Sequence, residues 1–220
     1  MKKLLSIFLV VTLISLPFLS MAQGASGKND AEAKKILDAV SAKFKAFKTV
    51  QAKFSLKIEN GSGKSLGSKS GSVSMKGTKY LIKINGQDIY SDGSAVWSYD
   101  KSSNEVTVNK IDPSSNSITP QKLFTNFYDK DFLYKLNGDV KEGGKTLKEI
   151  ELTPIDKTRP FHKVLIYVEN ATIYTTKIFE KTGTRFTYSI NNIKTDASIT
   201  DASFVFDEKK YPGVEVVDLR

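Results

Sequence analysis

Over most of its length this chain alternates apolar with polar residues, and short turn dipeptides cut the alternation into strand-sized pieces. Val50, Ala52, Phe54, Leu56 and Ile58 take every second position, with Gln51, Lys53, Ser55 and Lys57 between them. A period of two sends alternate side chains to opposite faces, so this stretch reads as a strand with one dry face. A Gly/Ser-rich hairpin loop is read from Glu59 to Lys69, with Val73 and Met75 on the strand beyond it. Gly77-Thr78, Asn85-Gly86, Asp92-Gly93, Gly143-Gly144, Asn170-Ala171 and Thr182-Gly183 then supply tight turns. Between them lie Tyr80, Ile82 and Ile84, then Ile89-Tyr90, Val96 to Tyr99, and Val106 with Val108. Later strands start near Phe132, Lys145, Phe161, Thr172 and Thr184. The total is about eleven strands, and such short connections favour an antiparallel meander over βαβ units.

Two stretches leave this rhythm. Ala33, Ile36, Leu37, Val40, Phe44 and Phe47 recur at helical spacing after Asn29-Asp30-Ala31-Glu32, a capping-box pattern. Further on, Thr119-Pro120 reads as a cap with proline at the first helical position, followed by Leu123, Phe124, Phe127 and Tyr128 on one helical face. A helix inserted between strands either covers one face or mouth of the sheet or adds its aromatics to the core. The pattern leaves both open.

The start of the chain is a leader. Lys2 and Lys3 precede an apolar run from Leu4 to Leu16, and Ser20-Met21-Ala22 is a small-residue cleavage site. Residues 1–22 are expected to form a signal peptide and residues 23–220 one exported domain. Pro17 and the shortness of the run disfavour an uncleaved membrane anchor. With no cysteine in the 220 residues, disulfides, thiolate metal sites and a lipid anchor at the cleavage site are excluded. Stability must then come from a large core. Lys and Arg outnumber Asp and Glu by 33 to 24, but the lysines are spread along the chain. That spread suits solubility and attraction to anionic membranes, and no nucleic-acid partner is expected.

Sites for chemistry are sparse. His162 is the single histidine, at the start of a strand, and no motif supplies a nucleophile and an orienting carboxylate for it. Paired histidines for a metal are lacking, and no glycine pattern for cradling phosphate precedes a helix. Asp129 with Asp131, and Asp196 with Asp201, read as turn and cap residues. The chain is therefore expected to be no enzyme and to carry no metal and no cofactor. What remains is apolar surface. A sheet of this length either closes into a filled barrel or stays open and curved with helices over one face, which leaves an apolar chamber.

Ser91-Asp92-Gly93-Ser94-Ala95-Val96-Trp97-Ser98-Tyr99 is the most specific local stretch. With Ile36-Leu37 and Phe44 on the first helix, Ala52-Lys53-Phe54, Leu152-Thr153-Pro154, and the closing run from Phe204-Val205-Phe206 through Pro212 to Asp218, it follows a recognisable order and spacing. In these features the chain resembles the periplasmic outer-membrane lipoprotein carrier family (LolA-like), over essentially the whole region after the leader. The resemblance implies a mainly β fold with an α lid: an unclosed antiparallel β-barrel covered by helices. It further implies a periplasmic carrier that binds the acyl chains of lipoproteins in a hydrophobic chamber and shuttles them from the inner to the outer membrane. An inner-membrane lipoprotein-releasing ABC transporter and an outer-membrane acceptor are the implied partners, and the carrier itself is expected to be a monomer.

On that reading the chamber and lid are expected to involve Phe44, Phe47, Phe54, Tyr80, Ile82, Ile84, Trp97, Tyr99, Leu123, Phe124, Phe127, Leu152 and Ile166. Which parity of each strand faces inward stays open. Phe44 and Phe47, with Leu123, Phe124 and Phe127, are expected to fill the empty chamber and swing aside on loading. One departure stands out. Proteobacterial members usually carry Arg-Pro after the strand equivalent to Val73 to Met75, and that arginine acts in cargo hand-over; here the turn reads Met75-Lys76-Gly77-Thr78-Lys79. Lys76 is the candidate for a release role, although lysine lacks the planar guanidinium fork. Two alternatives of related type are an exported binder of another lipid or hydrophobic ligand, and an envelope-stress sensor of the same fold.

Overall fold

Asp30 begins the first helix because its carboxylate can satisfy amides that the helix itself leaves free. In the computed structural model, which describes residues 29–111 and 128–220, Asp30 Oδ1 accepts from the N–H groups of Glu32 at 2.8 Å and Ala33 at 3.2 Å. Helix α1 then runs over Ala31–Ala46. The cap is Asp30 rather than Asn29, so the capping box expected from Asn29 and Glu32 does not form. Asn29 instead accepts from the Tyr134 N–H at 3.1 Å. Phe47 lies just beyond the helix as its C-cap, with its N–H donating to the Phe44 carbonyl.

The rest is one sheet. Its strands are β1 (Val50–Glu59), β2 (Ser65–Lys76), β3 (Lys79–Ile84), β4 (Gln87–Ser91), β5 (Ala95–Asp100), β6 (Glu105–Lys110), β7 (Phe132–Glu142), β8 (Lys145–Pro154), β9 (Phe161–Glu169), β10 (Thr172–Glu180), β11 (Arg185–Thr195) and β12 (Glu215–Asp218). A short helix, α2 (Tyr128–Asp131), leads into β7. The order across the sheet is β12-β6-β5-β4-β3-β2-β1-β11-β10-β9-β8-β7, which leaves it unclosed. This is the unclosed antiparallel barrel with a helical cover that the resemblance implies. The closing segment adds a short twelfth strand, parallel to β6, with Val216 opposite Val106.

The expected loop from Glu59 to Lys69 is shorter than its composition suggests. Only residues 60–64 turn, held by Asn60 Oδ1, which accepts from the Ser62 and Lys64 N–H groups at 3.1 and 2.9 Å. Beyond them β2 is already in register, with Ser68 opposite Lys57 and Lys69 opposite Leu56. Ladder hydrogen bonds are made by backbone, so exposed serines and glycines extend a strand that offers no apolar face.

The sheet's β7 edge is covered by the start of α1. The Asp30 N–H donates to the Tyr134 carbonyl at 3.1 Å, and Asp30 Oδ2 accepts from the Leu136 N–H at 3.1 Å. Farther along α1, Asp38 accepts from the Tyr128 hydroxyl at 2.6 Å, and Lys34 contacts both Asp38 and Asp129. Lys43 Nζ reaches the Asn170 carbonyl and Thr172 Oγ1 at the β9–β10 turn, each at 2.8 Å. The helix is thus tied to β7, to α2 and to a distant hairpin.

Candidate functional site

Directly opposed residues in antiparallel neighbours share a face, so the pairing register sorts every strand residue. One row runs Ile190, Phe54, Gly71, Ile84 across β11, β1, β2 and β3. A second runs Ala52, Val73, Ile82, Ile89, and a third Val50, Met75, Tyr80, Ser91, Val96. In the other half, Ile178, Val164, Leu152 and Tyr134 form one row, and Ile166, Ile150 and Leu136 another. Helix α1 packs on this same face. Leu37 and Val40 join Leu152 and Ile166 in one buried cluster, while Phe44 and Phe47 pack against Val50, Met75 and Tyr80.

Burial divides the helix-covered face in two. Beneath the helix Leu152 and Ile166 are 0% and 2% exposed, a filled core. Toward β11, β1, β2 and β3 Val50, Ala52, Leu56, Met75 and Tyr80 are buried, but Phe54, Ile58, Ile82, Ile84, Phe186, Tyr188 and Ile190 are only half-buried. The Phe54 ring lies over Gly71, where a Cβ would meet it at 2.5 Å. Burial pushes the Tyr80 and Tyr188 phenols above their ordinary range, the behaviour of polar tips held among apolar neighbours. The greasy zone ends at β5 and β6, where Ile89 is followed across the sheet by Ser98 and Thr107.

Of the residues expected at the site, Phe44, Phe47, Phe54, Tyr80, Ile82, Ile84, Leu152 and Ile166 come together on this one face. Leu123, Phe124 and Phe127 lie outside the described residues. Trp97 and Tyr99 are placed on the opposite face, because Trp97 pairs with Tyr90 and Tyr99 with Asp88. There the C-terminal segment covers them. Phe206 stacks on Tyr211 at 4.7 Å between centroids and stands 5.3 Å from Tyr99, and the Tyr99 hydroxyl donates to Asn104 at 3.0 Å. Their neighbours make them part of a second core, not of the helix-covered face. Phe186, Tyr188 and Ile190 belong to the apolar face although sequence reasoning did not single them out. Their alternation with Thr187 and Ser189 was the available signal.

Lys76 sits where the chain leaves β11 for the opposite face. Its Nζ is 2.8 Å from Asp201 Oδ1 and 3.2 Å from the Ile199 carbonyl, while Lys79 reaches Asp201 Oδ2 at 2.7 Å. The two ammonium groups, Lys76 first, hold the Asp201 carboxyl down to about 2. Among the described residues no group of three or more His, Asp or Glu side chains is placed to hold a metal ion, and no helix is long and apolar enough to cross a membrane. His162 is exposed near the start of β9, with its ring 6.4 Å from that of Phe179.

An unclosed barrel with a helix across an apolar face has the architecture of a lipid-binding, carrier-like protein. The chain belongs to the LolA family: the model described as outer membrane lipoprotein carrier protein LolA matches residues 45–207. Comparison with curated proteins gives no match. Among solved structures, an uncharacterized conserved protein from Thermus thermophilus shares the fold, with 13% identity and a TM-score of 0.57 over 85% of this chain and 99% of that one. A LolA superfamily protein from Nitrosomonas europaea is 15% identical, with a TM-score of 0.42 over 79% of this chain and 97% of its own. LprF from Mycobacterium bovis is 10% identical, with a TM-score of 0.43 and the same coverage of 79% and 97%.

Proposed function

We propose that this protein is an exported carrier that takes up the acyl chains of lipoproteins on its helix-covered face and moves them across the periplasm from the inner to the outer membrane. The observation that carries the reading is the half-buried apolar stretch around Phe54, Ile82, Ile84, Phe186, Tyr188 and Ile190, beside the C-terminal end of a helix whose Leu37 and Val40 are anchored in the core. Transfer of hydrocarbon out of water contributes about 0.8 kcal/mol per CH₂, so a multiply acylated protein does not cross an aqueous compartment unaided. A carrier must bury those chains yet release them. Binding that displaces Phe44 and Phe47 from their contacts with Met75 and Tyr80 offsets part of the gain and keeps net affinity moderate.

In this role residues 1–22 direct export, an inner-membrane ABC transporter loads the carrier, and an outer-membrane acceptor unloads it. Lys76 acts in release through its grip on Asp201 and Ile199, so that hand-over is coupled to movement of the C-terminal crossing. The test is depletion in the native cell. Lipoproteins should accumulate at the inner membrane; undiminished arrival at the outer membrane would refute the assignment. In solution, the delipidated protein should co-elute with a diacylated peptide and not with the same peptide unacylated.

A further inference from the structure

Strand β2 is longer than one of its neighbours. It pairs with β1 from Ser65, opposite Glu59, to Met75, opposite Val50, but with β3 only from Gly71 to Lys76. Residues 65–70 therefore form a free edge, and every one of them is exposed. Alternate N–H and C=O groups along such an edge point away from the paired strand and lack ladder partners. Among the described residues no strand occupies this position. The edge carries the small residues Ser65, Gly67, Ser68 and Ser70 and no proline, so a second backbone can approach closely. Edge strands are usually defended by charge, proline or bulges. This one has Lys69 and a bulge at its far end, between Ile58 and Glu59, and is otherwise plain.

Where β3 stops, a notch of about 410 Å³ opens beside the edge, lined by Lys53, Ser70, Gly71, Lys83, Ile84 and Lys101. Its lining draws on residues of both faces. Ile84 lies in the apolar row with Phe54, whereas Lys53 and Lys83 lie on the opposite face, aligned through Ser72. Lys101 is paired with Asp88 at 2.8 Å, while no ion pair among the described residues reaches Lys53 or Lys83.

We propose that this edge binds the extended peptide that follows the acylated residue of the cargo, as an added β-strand, with Lys53 and Lys83 favouring acidic side chains in it. The inference rests on the carrier reading above. Acyl chains lying along Phe54 and Ile84 bring their polar end to the notch, and the peptide leaving it meets the free backbone of residues 65–70. Backbone pairing is indifferent to sequence, which suits a carrier of many cargoes, and the lysines add a preference.

Hydrogen–deuterium exchange on the full mature chain tests the proposal, with three probes: a diacylated peptide with a ten-residue Ser/Asp extension, the diacylated Cys-Ser dipeptide, and the extension alone. The extended lipopeptide should slow exchange over residues 65–70 about tenfold or more, and the diacylated dipeptide should not. If both acylated probes co-elute with the protein but protect residues 65–70 equally, strand addition is refuted and the carrier reading survives. If neither co-elutes, the carrier reading fails and takes this inference with it. Protection that appears without any probe and grows with protein concentration would assign the edge to a second copy of the chain and refute the proposal. Exchanging both Lys53 and Lys83 for Glu should weaken the Ser/Asp probe about tenfold while sparing a Ser/Gly probe; equal loss for both would remove the charge preference.

Discussion

Asp30 spans the junction between helix and sheet edge: one carboxylate oxygen caps α1, and the other accepts the Leu136 N–H of β7 at 3.1 Å. An unclosed sheet has a strand edge to satisfy, and here a helix cap does it. The cover is thereby fixed at its N-cap to one of the two edges, β7 and β12, that a closed barrel would not have.

Replacing Asp30 with Ala should lower stability by about 1–2 kcal/mol, the ordinary cost of a lost cap with an added strand bond, measured by urea titration. The amides of Leu136 and then Ala33 hold the Asp30 carboxyl below its ordinary 3.8. A lowered folded value means that the stabilisation is complete above the ordinary carboxylate range and is lost as pH falls through the folded value. The acid limb of the stability curve should therefore be shallower in Asp30→Asn than in the parent.

The C-terminal crossing should also respond to acid. With Asp201 held at about 2 by Lys76 and Lys79, its contribution is intact above 3.8 and disappears only as pH nears 2. Exchange of amides 201–218 should remain slow at pH 3 in the parent protein. In Lys76→Ala it should rise at neutral pH as well, and cargo hand-over should slow more than loading.

Gly71 is required by space. A Cβ there would stand 2.5 Å from both the Lys83 carbonyl oxygen and the Phe54 ring. Gly71→Ala should cost about 1–3 kcal/mol through strain and a displaced Phe54, read as a lower denaturation midpoint with an unchanged m-value.

The two faces should separate in mutagenesis. Ile84→Asp, on the half-buried part of the helix-covered face, should reduce lipopeptide binding more than tenfold with a small change in melting temperature. Tyr99→Phe, beneath the C-terminal segment, should cost about 1 kcal/mol by removing its bond to Asn104 and leave binding unchanged. Loss of binding in the second variant would contradict the assignment of faces.

Strand placement was legible because the turns were. In Asp92-Gly93 the carboxylate accepts from the Ser94 and Ala95 N–H groups at 2.7 and 2.9 Å, and Gly93 has φ +94 with Thr78 Oγ1 2.5 Å from where a Cβ would lie. The stretch that most specifically suggested the family is therefore conformational chemistry, and it says nothing of ligand. Face assignment was harder. Val96, Trp97 and Tyr99 offer apolar groups of both parities, so alternation alone does not choose between them. The choice is made by Phe206 and Tyr211, which arrive from the far end of the chain to cover Trp97 and Tyr99. Likewise, a Ser/Gly composition concealed the first half of β2, because its pairing is wholly backbone.

The pairing of β1 with β11 places Val50 opposite Thr195, so the two halves of the sheet stay apart until nearly all of the chain has been delivered. Contacts so distant in sequence form slowly. A newly made chain must therefore pass through a long interval with Phe54, Ile58 and Phe186 bare to solvent, when self-association competes with folding. The half-buried apolar face on which the carrier proposal rests is the one this polypeptide itself most needs shielded before it is complete.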